Sequence, residues 1–176
     1  MTAPASGRDT PPVSSYTNAM DSTPASVARV LPIVRSATAD DIPAWLALAR
    51  EVEPLFGPMP DIEQAITRAV GRETALVTGP HGAITGGILL SRDDKPHRIH
   101  WLAVADAARG RGLGRALVHT AMERWPDGDI DVVTFTAGNQ GGVAARRLYE
   151  RCGMELAGPA DPALNGEPRD RYVLRQ

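Results

Sequence analysis

The residue pattern predicts an α/β domain built on a mixed sheet. Short apolar runs alternate with stretches of helical period in the order β-α-α-β-β-β-α-β-α-β-β. A hairpin pattern stands in the middle of that order, so the strands are not all parallel. The chain has 176 residues, enough for one domain with a real core.

Residues 1–29 are rich in Pro, Ser, Thr and Ala and show no hydrophobic period. Such a segment cannot bury enough surface to offset its ordering entropy, so a disordered leader is expected. Met20 within it is an alternative start. The domain is expected over 30–176. Val30 to Ser36 is a candidate first strand, with Pro32 placing it at an edge. Thr38 and Asp41 form a helix-start signal, and Ile42, Trp45, Leu46 and Ala49 follow at helical spacing. Pro43 is tolerated in a first turn. The prolines and Gly57 between Glu51 and Pro60 are expected to break this helix. That would leave Glu51, Glu53, Phe56 and Met59 on a bend. A second helix is read from Asp61 to about Val70, ending at Gly71.

Thr74–Thr78 and Ala83–Ser91 form the hairpin, with Gly86 and Gly87 suggesting a bulge or bend. Arg92 to Pro96 is a polar turn. His97–Val104 is an apolar strand. Leu113, Leu117, Ala121 and Trp125, four apart, mark a helix that starts near Gly112. Asp131–Thr136 is the next strand and Ala137–Gly142 a Gly-rich link. Val143–Cys152 is a helix, with Ala145, Leu148, Tyr149 and Cys152 on one face. Met154–Ala157 and Arg169–Leu174 are the last strands, separated by a long polar loop.

The junction between the fourth strand and third helix is the most informative stretch. It carries Arg109, Gly110, Arg111, Gly112, Leu113, Gly114 and Arg115. A helix start leaves backbone N–H groups without partners at the positive end of the macrodipole. Glycines permit positive φ and close approach of an anion, and three arginines add charge. That combination suits a phosphate, above all a pyrophosphate. It is neither a nucleotide P-loop, which needs GxxxxGK followed by Ser or Thr, nor the GxGxxG dinucleotide fingerprint, whose third glycine would fall at Arg115.

The run Arg109-x-x-Gly112-x-Gly114, preceded by Leu102-Ala103-Val104, resembles the acetyl-CoA-binding motif of the GNAT N-acetyltransferase superfamily. Asn139, followed by Leu148-Tyr149-Glu150-Arg151-Cys152-Gly153-Met154, resembles its C-terminal motif. The likeness spans about Val30 to Leu174. It implies a mostly antiparallel sheet of about seven strands flanked by about four helices, with the fourth and fifth strands splayed. It implies that Leu102, Ala103 and Val104 offer backbone to the pantetheine arm, and that the Arg109–Arg115 turn takes the pyrophosphate. By the same resemblance Tyr149 is the general acid toward the departing thiolate. Its phenol could instead be core, with the hydroxyl on a backbone partner. Asn139 is a candidate for the cofactor arm or for a plain turn.

The base is less defined. The family's strand glutamate corresponds here to Arg98. By alternation His100 falls on the face of Arg98 and Leu102 and is a candidate proton acceptor. Glu51, Glu53 and Phe56 are candidate acceptor contacts. The implied activity is N-acetyl transfer from acetyl-CoA to a primary amine, a small molecule before a protein. A non-catalytic acetyl-CoA-binding module and a longer-chain acyltransferase stay open. The net charge of −2 speaks against a nucleic-acid binder. No apolar run is long enough for a membrane span. The single cysteine, Cys152, rules out an internal disulfide and a multi-cysteine metal site and fits a cytoplasmic location. No metal is expected, and the protein is expected as a monomer or homodimer.

Overall fold

The structure is a computed structural model that describes residues 32–92 and 95–176. The leader and Met20 lie outside the described residues, as do Val30 and Leu31. The elements are β1 (Val34–Ser36), α1 (Ile42–Phe56), α2 (Ile62–Gly71), β2 (Ala75–Thr78), β3 (Gly86–Leu90), β4 (His97–Val104), α3 (Leu113–Arg124), β5 (Ile130–Phe135), α4 (Gln140–Arg151), β6 (Glu155–Ala160) and β7 (Arg169–Leu174). They form one seven-stranded sheet in the order β1-β2-β3-β4-β5-β7-β6. Every neighbouring pair is antiparallel except β4 and β5.

Helices cover both faces, which is why β2 and β3 are buried throughout and read as continuous apolar runs. On one face Trp45, Leu48 and Val52 of α1 and Ile66 of α2 pack on Val77, Leu89 and Trp101. On the other, Leu117, Val118 and Ala121 of α3 and Tyr149 of α4 pack on Ile88, Ile99, Ile130, Val132 and Tyr172.

Asp41 ties the start of α1 to the hairpin. It is fully buried. Its carboxylate accepts two hydrogen bonds from Arg35 (2.7 and 2.8 Å), one from the Thr38 amide (2.9 Å) and one from the Gly82 amide (3.0 Å). The Arg35 guanidinium and these amides hold the carboxyl well below its ordinary range, against the opposing effect of burial.

Two sequence expectations change. The first helix does not break after Arg50 but runs through Pro54 to Phe56. Its apolar stripe continues through Val52 to Phe56, and that packing outweighs the hydrogen bond Pro54 cannot donate. Glu51 and Glu53 therefore sit on the last turns of α1, not on a bend. Second, Gly86 and Gly87 pair regularly with Val104 and Ala103, and the bulge lies further along. A Cβ on Gly87 would stand 2.7 Å from the Trp45 ring, so this glycine makes room for the indole.

Candidate active site

The site begins where β4 and β5 part. They pair only at His97–Ile130, Arg98–Asp131 and Ile99–Val132. Beyond Ile99, β4 stays with β3 as far as Val104, while β5 stays with β7 as far as Phe135. A β-bulge falls at this point. Leu89 pairs with Trp101 and Leu90 with Ile99, which leaves His100 as the extra residue. The bulge breaks the alternation assumed from sequence. Ile99 and Leu102 pack against the same core although three apart, so Arg98, His100 and Leu102 do not share one face. Arg98 instead makes a two-pronged pair with buried Asp131, both bonds at 2.8 Å.

The parting frees a strip of backbone. The Ala105 amide donates to Thr85 O at 2.9 Å. Along an antiparallel ladder this turns the N–H and C=O of Leu102 and Val104 the other way, toward the gap. The Val104 carbonyl accepts from Arg109 Nε at 3.2 Å there.

The turn beyond β4 ends in the uncapped tip of α3. Its N-cap is Gly112, at φ 82°, with no side-chain cap and no acidic residue in the first turn. The first closing bond is Ala116 N–H to Gly112 O, so the amides of Leu113, Gly114 and Arg115 precede the helical ladder. Gly110 is also left-handed, at φ 76°. Gly114 also has a packing role. A Cβ there would stand 3.1 Å from Leu148, so its bareness lets α3 lie against α4. Arg109 pairs with Asp106 at 2.8 Å. Arg111 and Arg115 are exposed, and among the described residues neither pairs with a carboxylate.

Between the parted strands lies a cavity of about 300 Å³. Its walls are Phe56 and Met59, His100 to Leu102 of β4, Val132 to Phe135 of β5, Ala145 and Tyr149 of α4, and the loop Pro162 to Asn165 with Arg169. Tyr149 is buried and its ring tilts against Tyr172, centroids 6.3 Å apart. Among the described residues its hydroxyl has no backbone or side-chain hydrogen-bond partner, so the expected alternative of a tethered core tyrosine is not what the fold provides. Burial, with Cys152 beside it, pushes the phenol far above its ordinary range, so it stays neutral. His100 is accessible at the cavity mouth. The surrounding protein, and next the Arg98 guanidinium, depress its pKa, which favours the neutral imidazole.

Two candidates have structural partners. Asn139 caps α4: its carboxamide oxygen accepts from Gly141 N at 2.8 Å, and its Nδ2 donates to Glu167 at 2.8 Å. Glu51 accepts the Asp106 amide at 2.6 Å, which ties α1 to the turn after β4. Glu53 borders a second, shallower depression with Pro58 and Glu63, outside the main cavity. Phe56 does line the cavity and packs on Trp101, centroids 5.8 Å apart. Sequence reasoning missed Trp101, Thr134, Phe135 and Arg169. Each is an ordinary strand residue until the gap beside it is known.

A sequence profile described as the Acetyltransferase (GNAT) family matches residues 41–154. The chain belongs to the GNAT acetyltransferase family. A search of curated protein sequences finds no match. Among solved structures, the GNAT fold recurs in an acetyltransferase of Bacillus cereus (TM-score 0.69, 14% identity, 83% of this chain and 98% of that one). It recurs in a chain of the NatC complex bound to Gag peptide and CoA (TM-score 0.68, 18% identity, 83% and 99%). A mutant agmatine N-acetyltransferase in apo form is also similar (TM-score 0.61, 15% identity, 82% and 99%). At these identities the likeness is one of fold. The seven strands, four helices and parted β4–β5 pair expected of a GNAT chain are all present. Among the described residues no helix is long and apolar enough to cross a membrane, and no group of three His, Cys, Asp or Glu side chains could hold a metal ion.

Proposed function

We propose that this protein moves the acetyl group of acetyl-CoA to a primary amine of a small molecule, by direct attack with both substrates bound. The observation that carries this reading is the parting of β4 from β5, which opens a cavity lined by Tyr149, with the arginine-rich start of α3 close by, where Gly114 faces Leu148 and Val104. The residues present fit the donor. The amides at the start of α3, with Arg111 and Arg115, would hold the diphosphate. The outward backbone of Leu102 and Val104, with Ala103 between them held on β3, would pair with the pantetheine arm as an added strand. The NatC complex, one chain of which shares this fold, is bound to CoA, which supports the assignment. Arg109 would turn from Asp106 and Val104 toward the same anion.

The transfer forms a bond from the amine nitrogen to the acetyl carbon and breaks the carbon–sulfur bond. The amine must lose a proton and the sulfur must gain one. Tyr149 supplies the proton to sulfur, since its phenol is held neutral in the wall of the gap. His100, neutral and accessible, takes the amine proton directly or through water. Asn139 orders the start of α4 and thereby sets the height of Tyr149. A backbone N–H near Leu102 would face the developing oxyanion.

Incubating the full chain with acetyl-CoA and a panel of amines, followed by mass spectrometry of products, tests the reading. Acetylated amine and stoichiometric free CoA are expected. Tight CoA binding with no product from any amine would make the protein a sensing module. Product only from longer acyl-CoA donors would make it another acyltransferase.

A further inference from the structure

Among the described residues, the cavity between β4 and β5 has no carboxylate in its walls. Its polar lining consists of His100, Thr134, Asn165, the Tyr149 phenol and one full cation, Arg169. Arg169 opens β7 and pairs with Phe135, the last residue of β5. Its Nε donates to Asp161 O at 2.7 Å and its Nη2 to Pro162 O at 3.0 Å. These bonds fix the guanidinium against the loop and leave Nη1 and one Nη2 proton without a partner. Among the described residues no carboxylate lies within ion-pair distance of it.

That charge pattern discriminates among amines. A polyamine would bring further positive charge into a walled space that already holds a cation and no anion, which is costly. An amine that carries its own carboxylate meets the opposite situation. A guanidinium fork suits a carboxylate, and the pair neutralises what would otherwise be a lone cation. Phe56, Trp101 and Phe135 give the rest of the space an apolar, aromatic surface. At about 300 Å³ the cavity is at the small end for ligand sites, which suits a molecule of amino-acid size.

We infer that the acceptor is an amino acid or close analogue, a primary amine bearing a carboxylate and an apolar side chain, with Arg169 gripping the carboxylate. This rests on the reading of the cavity as the acceptor site of an acetyltransferase. Its nitrogen takes the acetyl group from the thioester, the sulfur leaves with a proton, and the ammonium proton is released to the base.

The test uses the full chain, acetyl-CoA, and matched acceptors: phenylalanine and leucine, their amides, the corresponding amines without the carboxyl group, and spermidine. Free CoA and acetylated product are both measured. The acids are expected to exceed their amides and decarboxylated amines by about tenfold or more in kcat/KM, the scale of one lost charge-assisted contact. Arg169→Gln should erase most of that preference by slowing the acids alone, and Arg169→Lys should restore part of it. If Arg169→Gln does not fold, the acid-to-amine ratio of the unaltered protein still decides. Faster turnover of spermidine or of the decarboxylated amines overturns the inference and leaves acetyl transfer standing. Equal turnover of amide and acid also overturns it, and points to a peptide N-terminus. A preference that survives Arg169→Gln overturns the role given to Arg169. CoA binding without acetylation of any acceptor removes the acetyltransferase reading and this inference with it.

Discussion

The proton-donor role proposed for Tyr149 rests on where α4 puts it. Its ring is enclosed and its hydroxyl opens on the gap without a partner. Tyr149→Phe keeps the ring against Tyr172 and removes only the proton. A positioned general acid contributes about 10²–10⁴-fold. Steady-state kinetics should therefore show kcat lower by about 100-fold or more. The KM for acetyl-CoA should barely move; an unchanged kcat would make Tyr149 structural. Asp41 is the contrasting residue, a buried charge that serves the fold. Its pKa is lowered on folding, so its stabilisation is present above its ordinary pKa of 3.8 and drains away as pH falls below it. Asp41→Asn leaves Arg35 half-satisfied and should cost about 3 kcal/mol in urea unfolding at pH 7. The variant should also lose less stability than the parent between about pH 4 and 2. A parallel pair of pH curves would show that Asp41 carries no such load.

At the scale of elements, what could be read from sequence was periodicity and punctuation. His97–Val104 and Arg169–Leu174 were bounded by their own apolar and polar alternation, and both end where the pattern ends. The end of α1 was misjudged because Pro54 is a strong local signal. The opposing force, Val52 and Phe56 reaching the core, depends on a sheet that sequence does not display. The bulge at His100 was invisible for the same reason. It is a relation between two strands, and no residue in β4 announces it. Gly87 was noticed but misread, because its reason is the Trp45 ring across the interface. Gly87→Ala should place a methyl inside that ring's contact distance and destabilise the fold by about 1–3 kcal/mol, the usual cost of overpacking. A urea midpoint equal to that of the parent protein would show that the indole moves freely aside.

For the molecule as a whole, the turn proposed for the donor could be singled out from sequence, and of Phe56, Trp101, Phe135 and Arg169 in the cavity wall only Phe56 could. The Arg109–Arg115 turn and Tyr149 sit in contiguous motifs whose chemistry is local. The cavity wall proposed for the acceptor includes Phe56, Trp101, Phe135 and Arg169, which lie on four separate elements or their ends and share no motif. Glu51 and Asn139 were singled out as candidate contacts, and in the fold they hold Asp106 and Glu167, partners that lie far along the chain. The proposed function rests on one architectural event, the parting of β4 from β5, with an uncapped, arginine-rich helix tip nearby. Calorimetric titration of CoA into the full chain and into Arg111→Glu/Arg115→Glu tests it most directly. Both arginines are exposed, among the described residues neither pairs with a carboxylate, and Arg115 makes only an exposed hydrogen bond to His119 at 3.2 Å, so the fold should be unaffected, with the same urea midpoint. CoA affinity is expected to fall by about tenfold or more for the pair. An unchanged dissociation constant in the folded double variant would place the diphosphate elsewhere and contradict the site built here.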